Sequence, residues 1–267
     1  MMIYLGGQLV AAAEARVDPW DRGLTLGDGL FETIAVRAGR VARRAAHLSR
    51  LRDGADVIGL KVSFDDGALA EALAQVIEAN GIDEGVLKLI VTRGPAPRGL
   101  LPPAPVQPTL LIAGVAQELA PPEPATAVIA TVTRRNEHSP LSRIKTLNFL
   151  DNILAAQEVA RLGADEALLL NGAGNLTEAA AANLFLVAGG RVITPPVHDG
   201  VLPGVMRADV IKALGVAERS LRPADLTGAS EAFLTNSLGI RPLVSVVGVA
   251  IGDGQPGPVC KEAQKIV

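Results

Sequence analysis

Lys145 stands in Ser142-Arg143-Ile144-Lys145-Thr146-Leu147-Asn148, between a loop and the start of a helical pattern. An amine held in such a partly desolvated place gives up its proton more readily than a solvated lysine and can form a Schiff base with a carbonyl. Glu178, in Asn175-Leu176-Thr177-Glu178, precedes the small residues Ala179 to Ala182 and Asn183. A carboxylate there is costly to bury unless a cation or a protonated ring nitrogen meets it. Two glycine-containing turns, Leu202-Pro203-Gly204-Val205-Met206 and Thr235-Asn236-Ser237-Leu238-Gly239, have small residues that let successive backbone amides converge on one phosphate. Arg50 shares a helical face with His47 and adds a positive charge. Taken singly, each feature also fits a solvated loop or surface position. Their conjunction is what a phosphorylated pyridine aldehyde needs from a protein: an amine, an isolated acid, an arginine and two amide cups.

The elements that must position these residues can be read from periodicity. A strand is expected over Phe31–Val36, helices over Arg43–Leu60 and Phe64–Asn80, and strands over Val86–Thr92 and Leu110–Val115. Half of the 18 prolines fall between Pro95 and Pro124, which marks a border. Beyond it, strands are expected over Ala127–Thr133, Glu166–Leu170, Ala182–Val187, Arg191–Thr194, Glu231–Asn236 and Leu243–Val249. Helices are expected over Thr146–Leu162, with a stop at Gly163, and around Met206–Leu214. The expected fold class is α+β in two domains, 1–113 and 125–267, joined by a linker at 114–124. The cleft between them is the default place for a ligand.

Composition removes whole classes of function. Hydrophobic residues make up 49% of the 267, and no apolar run approaches the roughly 18 residues that a membrane-spanning helix needs. The opening MMIYLGGQLV has no basic cluster ahead of its apolar stretch, so it is expected to be strand and turn rather than a signal peptide, and the location cytoplasmic. Lys plus Arg total 25 against 28 acids, which leaves no footprint for a nucleic-acid backbone. One cysteine, Cys260, cannot form an internal disulfide. His47, His138 and His198 have no zinc-like spacing, so no metal is expected.

The motifs and their order resemble those of the class IV aminotransferases, the fold-type IV pyridoxal-phosphate enzymes. The resemblance rests on Asp21-Arg22-Gly23-Leu24-Thr25-Leu26-Gly27-Asp28-Gly29-Leu30-Phe31-Glu32-Thr33, His47-Leu48-Ser49-Arg50-Leu51, Lys145-Thr146-Leu147-Asn148, Asn175-Leu176-Thr177-Glu178 with Asn183, and Gly204-Val205-Met206-Arg207. It implies pyridoxal 5'-phosphate in the interdomain cleft, with Lys145 holding the cofactor, Glu178 paired with the pyridine nitrogen and Arg50 on the phosphate. The amides of Val205, Met206, Ser237 and Leu238 would complete the phosphate cup. It also implies a homodimer acting on a small amino substrate that carries a carboxylate.

The family holds several reactions, and the substrate-side residues bear on the choice. Lys88 and Arg98 together resemble 4-amino-4-deoxychorismate lyase, in which such residues are thought to meet two substrate carboxylates. Lys88 equally fits the solvent face of an alternating strand, and Arg98 alone also fits the D-amino-acid enzymes. Those enzymes usually carry tyrosine where Phe31 stands and histidine where Leu100 stands. The branched-chain enzymes usually show Ser-Gly-Asn-Tyr where this chain has Thr146-Leu147-Asn148-Phe149. The expectation is therefore the lyase, giving p-aminobenzoate and pyruvate. A D-amino-acid or branched-chain aminotransferase is the alternative, and a cofactor-binding protein without turnover the remote one.

Overall fold

The computed structural model describes residues 1–102, 104–105 and 107–267. The chain forms two units, Met1–Leu119 with Ile144–Asn148, and Ala120–Arg143 with Phe149–Val267. The expected 114–124 linker is not a separate segment. Gly114 to Ala116 completes a strand, and the border falls after Leu119.

The first unit is built on an antiparallel sheet of β1 (Met2–Leu5), β2 (Gln8–Ala11), β3 (Gly29–Arg37), β4 (Arg40–Val41), β5 (Gly85–Thr92) and β6 (Thr109–Ala116), in the order β2-β1-β6-β5-β3-β4. Its helices are α1 (Arg22–Leu26), α2 (Arg44–Val57) and α3 (Asp66–Asn80). Asp65 caps α3 by accepting from the Ala68 amide, and Gly81, at φ 60°, ends it. Strand alternation sorts the sheet into two faces. Ile34, Leu87, Leu89, Val91 and Ile112 pack with Leu48, Leu51, Leu69, Leu73 and Val76 of the helices. Phe31, Thr33, Lys88 and Ile90 share the other face, because Phe31 pairs with Ile90 and Thr33 with Lys88.

The second unit contains β7 (Ala125–Ile129), α4 (Leu150–Leu162), β8 (Glu166–Leu170), β9 (Leu176–Ala179), β10 (Asn183–Ala188), β11 (Arg191–Thr194), α5 (Val205–Leu214), β12 (Ala217–Glu218), β13 (Glu231–Asn236), β14 (Gly239–Val246), β15 (Val249–Ala250) and α6 (Pro258–Gln264). The sheet order is β12-β11-β10-β13-β14-β7-β8-β9, with β15 on β14. Because β9 also pairs with β10, the strands from β10 round to β9 close into a ring without a free edge. Leu168, Leu176, Leu184, Leu234 and Leu243 belong to one core, while α5 and α6 cover Phe185 and Phe233, whose rings stack 5.0 Å apart.

Several elements stop or start away from their expected places, each for a physical reason. β7 ends at Ile129 because the Thr131 and Val132 amides donate to the Glu158 carboxylate. The helix expected from Thr146 begins at Leu150, because residues 145–147 are committed to β3. The Phe31 amide donates to Lys145 O at 2.9 Å, and the Leu147 amide donates to Gly29 O at 3.0 Å. The strand expected over 243–249 is broken by a turn at Val247 and Gly248, both at positive φ, and Glu178, read from the sequence as lying ahead of a strand, lies within β9.

On the helix-covered face Glu32 is fully buried. Its Oε2 lies 2.7 Å from His47 Nδ1, and Arg50 donates to both of its oxygens through Nε and Nη2. Burial pushes this carboxyl up, but the hydrogen bonds from His47 and Arg50 and the arginine's charge outweigh it and hold it below the usual range. Glu32→Gln should therefore destabilise the protein by about 3–5 kcal/mol at neutral pH. The folded pKa lies below the unfolded one, so this contribution is complete above the ordinary value of 4.5 and disappears as pH falls through the folded value. Urea unfolding of both proteins across that range checks it: the gap should narrow on acidification, whereas a constant gap would assign the loss to packing alone.

Candidate active site

In the second unit the antiparallel registers place Glu178, Asn183 and Thr235 in one row. Asn183 pairs with Glu178 across β9 and β10, and with Thr235 across β10 and β13. Glu178 is 5% exposed. Its Oε1 lies 3.1 Å from Arg135 Nη2, and its Oε2 accepts from Asn183 Nδ2 at 3.1 Å and from the Leu202 amide at 3.0 Å. Arg135 is oriented in turn by donating to Gly200 O and Ser142 O. Asn183 Nδ2 also donates to Leu202 O at 2.9 Å, which ties the segment before α5 to the row.

The two glycine-containing turns come to the same row. Gly204 is the N-cap residue of α5 and offers no side-chain cap, so the first-turn amides, Val205 and Met206 among them, have no intrahelical acceptor. Only glycine fits there: a Cβ would lie 1.9 Å from Asn183 Oδ1. At the end of β13 the Thr235 hydroxyl is buried with no hydrogen-bond partner among the described residues. Buried polar groups in folded proteins are rarely left unmatched, so this one marks a place for a polar ligand atom. Ser237 and Leu238 follow in the next turn, where the Leu238 amide donates to Asn236 Oδ1 at 2.9 Å. An unmatched hydroxyl, an uncapped helix start and a buried carboxylate in one row form a donor and acceptor set that fits a phosphorylated, protonated heterocycle.

In the first unit Lys145 is half-buried in an extended segment, with Thr146 bridged to Leu30. The expected helix junction at Lys145 is thus replaced by strand-like pairing, which fixes its backbone. Its Nζ lies 4.4 Å from the centroid of the Phe31 ring, and Lys88 Nζ lies 3.3 Å from the same centroid. Lys88 is half-buried rather than on a solvent face. Burial lowers its pKa, and the carboxylate of Glu32 opposes that shift. Phe31 therefore gathers two amines on one face of the sheet.

Arg50, with its side chain 11% exposed, stands on the opposite, helix-covered face and holds Glu32. Arg98 is exposed in the loop after β5, with no ion-pair or hydrogen-bond partner among the described residues, and Leu100 is 85% exposed. Sequence reasoning missed Arg135, which pairs with Glu178, and gave no role to Arg22 and Asp28, which form an ion pair at 2.8 Å. Nothing local marks Arg135, because its partner lies beyond α4. Arg22 and Asp28 could have been noticed as opposite charges within one short glycine-rich run.

Comparison with known proteins gives this geometry a family. The model for amino-transferase class IV matches residues 29–246. The chain is 30% identical over 270 residues to D-alanine aminotransferase of Bacillus licheniformis, covering 99% of this chain and 95% of that protein. Among solved structures, the branched-chain amino acid aminotransferase of Escherichia coli superposes with a TM-score of 0.92 at 28% identity, covering 99% of this chain and 92% of that one. The 4-amino-4-deoxychorismate lyase of Pseudomonas aeruginosa superposes with a TM-score of 0.84 at 33% identity, covering 98% and 97%. Three activities on one architecture show that the fold alone does not choose among them. The chain belongs to the class IV amino-transferase family: it has the fold-type IV architecture of mixed α and β content and is a pyridoxal-phosphate-dependent enzyme.

Proposed function

We propose that this enzyme is a 4-amino-4-deoxychorismate lyase, releasing p-aminobenzoate and pyruvate. The observation that carries the proposal is Lys88: a half-buried ammonium 3.3 Å from the Phe31 ring, on the same ring as Lys145. A second cation there suits a substrate with an additional carboxylate, and Arg98 supplies a further cation for the other. Phe31 and Leu100, in place of tyrosine and histidine, provide no polar trap for the α-carboxylate of a D-amino acid. A second reading, transamination of branched-chain or D-amino acids, is favoured by the TM-score of 0.92 with the branched-chain enzyme.

When bound, pyridoxal phosphate supplies an electron sink for the carbon that bears the substrate amine. In this proposal Lys145 is the residue that would hold the cofactor at its aldehyde carbon. Glu178, kept in place by Arg135, Asn183 and Leu202, is the carboxylate that would pair with the ring nitrogen and favour its protonated form. In this reading the amides of Val205, Met206 and Ser237 would face the phosphate, while Arg50 is engaged by Glu32 on the helix-covered face and the Leu238 amide by Asn236 Oδ1. The Lys145 amine would take the proton from the amine-bearing ring carbon of the substrate. The enolpyruvyl oxygen would leave with its bonding electrons as an enolate, the ring would become aromatic, and the enolate would take up a proton on carbon to give pyruvate. In the transamination reading the same amine would both take and return a proton, and the product would be an oxoacid.

We also infer a homodimer. Leu150, Ile153 and Leu154 lie at helical spacing on α4 and are 73%, 49% and 42% exposed, an apolar stripe that fits burial against a second copy of the chain. Sedimentation should give twice the chain mass, and a monomer fully active at nanomolar dilution would contradict it.

The reaction is tested by supplying the holoenzyme with chorismate, glutamine and an aminodeoxychorismate synthase, with D-alanine and L-leucine half-reactions run in parallel. p-Aminobenzoate and pyruvate should form in equal amounts and faster than either transamination. Arg98→Ala should raise KM by about tenfold or more, the ~1.4 kcal/mol or greater expected when a carboxylate loses its cation. Faster transamination of D-alanine or L-leucine would assign the second reading instead.

A further inference from the structure

The loop that carries Arg98 is strapped to the start of the glycine-rich run through one buried side chain. Arg22 is 5% exposed, and all three of its guanidinium nitrogens are engaged. Nε donates to Asp28 Oδ2 at 2.8 Å, Nη1 to Gly99 O at 2.7 Å and Nη2 to Leu100 O at 2.8 Å. Asp28 Oδ2 also accepts from Arg93 Nε at 2.8 Å, and the Nη groups of Arg93 hold Ile58 O and Gly59 O just beyond α2. The backbone runs the same way. The Arg22 amide donates to Gly94 O, the Ala96 amide donates to Trp20 O, and Asp21 bridges Pro95. Asp21 Oδ2 is itself fixed by the hydroxyls of Thr92 and Thr109. The two carbonyls immediately after Arg98 are thus held from the protein interior, while the Arg98 side chain is left exposed. Gly99, at φ 149°, has a backbone conformation that side-chain-bearing residues rarely adopt, as a turn built for its carbonyl direction requires.

We propose that Arg22 is a positioning residue for substrate recognition: by clamping the Gly99 and Leu100 carbonyls it fixes where Arg98 meets the substrate carboxylate. This rests on the proposal that Arg98 binds a carboxylate. Arg22 contributes no charge to the substrate, since its fork is spent on Asp28 and two carbonyls. Its effect is geometric, and guanidinium binding of a carboxylate depends steeply on geometry. Asp28 aims the clamp by taking the Nε side of the fork, which turns both Nη groups toward the loop.

The experiment uses the holoenzyme with the dicarboxylate substrate generated in situ and compares Arg22→Met, Gly99→Ala, Arg98→Ala and the double variant Arg22→Met/Arg98→Ala. Gly99→Ala strains the turn from outside, where a Cβ meets nothing within 4 Å, so it keeps the test alive if Arg22→Met does not fold. Arg22→Met and Gly99→Ala should each raise KM by about tenfold, as a loose binding group does, with kcat changed by less than about twofold. On the Arg98→Ala background Arg22→Met should raise KM no further, because the clamp acts through Arg98. In cofactor-free protein, hydrogen exchange at Ala96 should be about tenfold faster in Arg22→Met than in the wild type. A KM rise that persists on the Arg98→Ala background, or exchange that is unchanged, overturns the inference. If Arg98→Ala raises KM and neither clamp variant does, only the inference falls. If Arg98→Ala leaves KM unchanged, the carboxylate role of Arg98 falls, and the clamp's role in recognition with it.

Discussion

The first unit depends on a short backbone pairing: residues 145–147 lie along the edge of β3 at Gly29–Phe31, held by two amide–carbonyl bonds and the bridge between Leu30 and Thr146. This pairing covers an edge that β3 would otherwise present unpaired. It sets the Lys145 Cα by backbone rather than by a flexible side chain, and so brings the amine to the Phe31 ring. It also delays α4, since Thr146 and Leu147 cannot be helical while they serve β3. Gly29 tolerates the approach because it has no side chain: a Cβ there would lie 2.9 Å from Leu147 and closer still to Val91 O.

The same economy governs the buried charges. Glu32 is matched by His47 and Arg50, Asp28 by Arg22 and Arg93, and Glu178 by Arg135 with two neutral donors. Unmatched, any of these would cost several kcal/mol in a protein interior. Matched, they act as fixed joints between segments distant in the chain. Phe31 and Glu32, adjacent in β3, point to opposite faces, so one strand serves both the amine pair and the internal ion pair. Cys260, whose thiol is pushed up to about 12 by burial and by the nearby Glu231 carboxylate, sits in the core between α6 and the sheet and takes no part in this chemistry.

Local pattern made much of this legible in the sequence. The core strands and α2, α3 and α5 follow from hydrophobic period, and Lys145, Glu178 and the turns at Gly204 and Ser237 stand out by residue type. The sequence could not show which contacts between distant residues would win. Leu147, Leu150, Ile153 and Leu154 keep helical spacing, yet the pairing with β3 takes Leu147 out of the helix. Glu178 reads locally as an acid just ahead of a run of small residues, whereas closure of β9 onto β10 makes it a strand residue opposite Asn183. The partners of the buried charges, Arg135 for Glu178 and Arg22 for the loop at Gly99, were hidden for the same reason. Ion pairing carries no period.

In the proposed reading, backbone pairing with β3 makes Lys145, rather than its neighbour on the Phe31 ring, the amine that holds the cofactor. Lys88 lies closer to Phe31 and has the lowered pKa of a partly desolvated amine, so it is the natural competitor. Borohydride reduction of the holoenzyme, followed by proteolysis and mass spectrometry, decides between them by fixing the pyridoxyl group to the amine that carries it. The pyridoxyl mass is predicted on the peptide containing Lys145 alone, and its appearance on Lys88 would contradict the account.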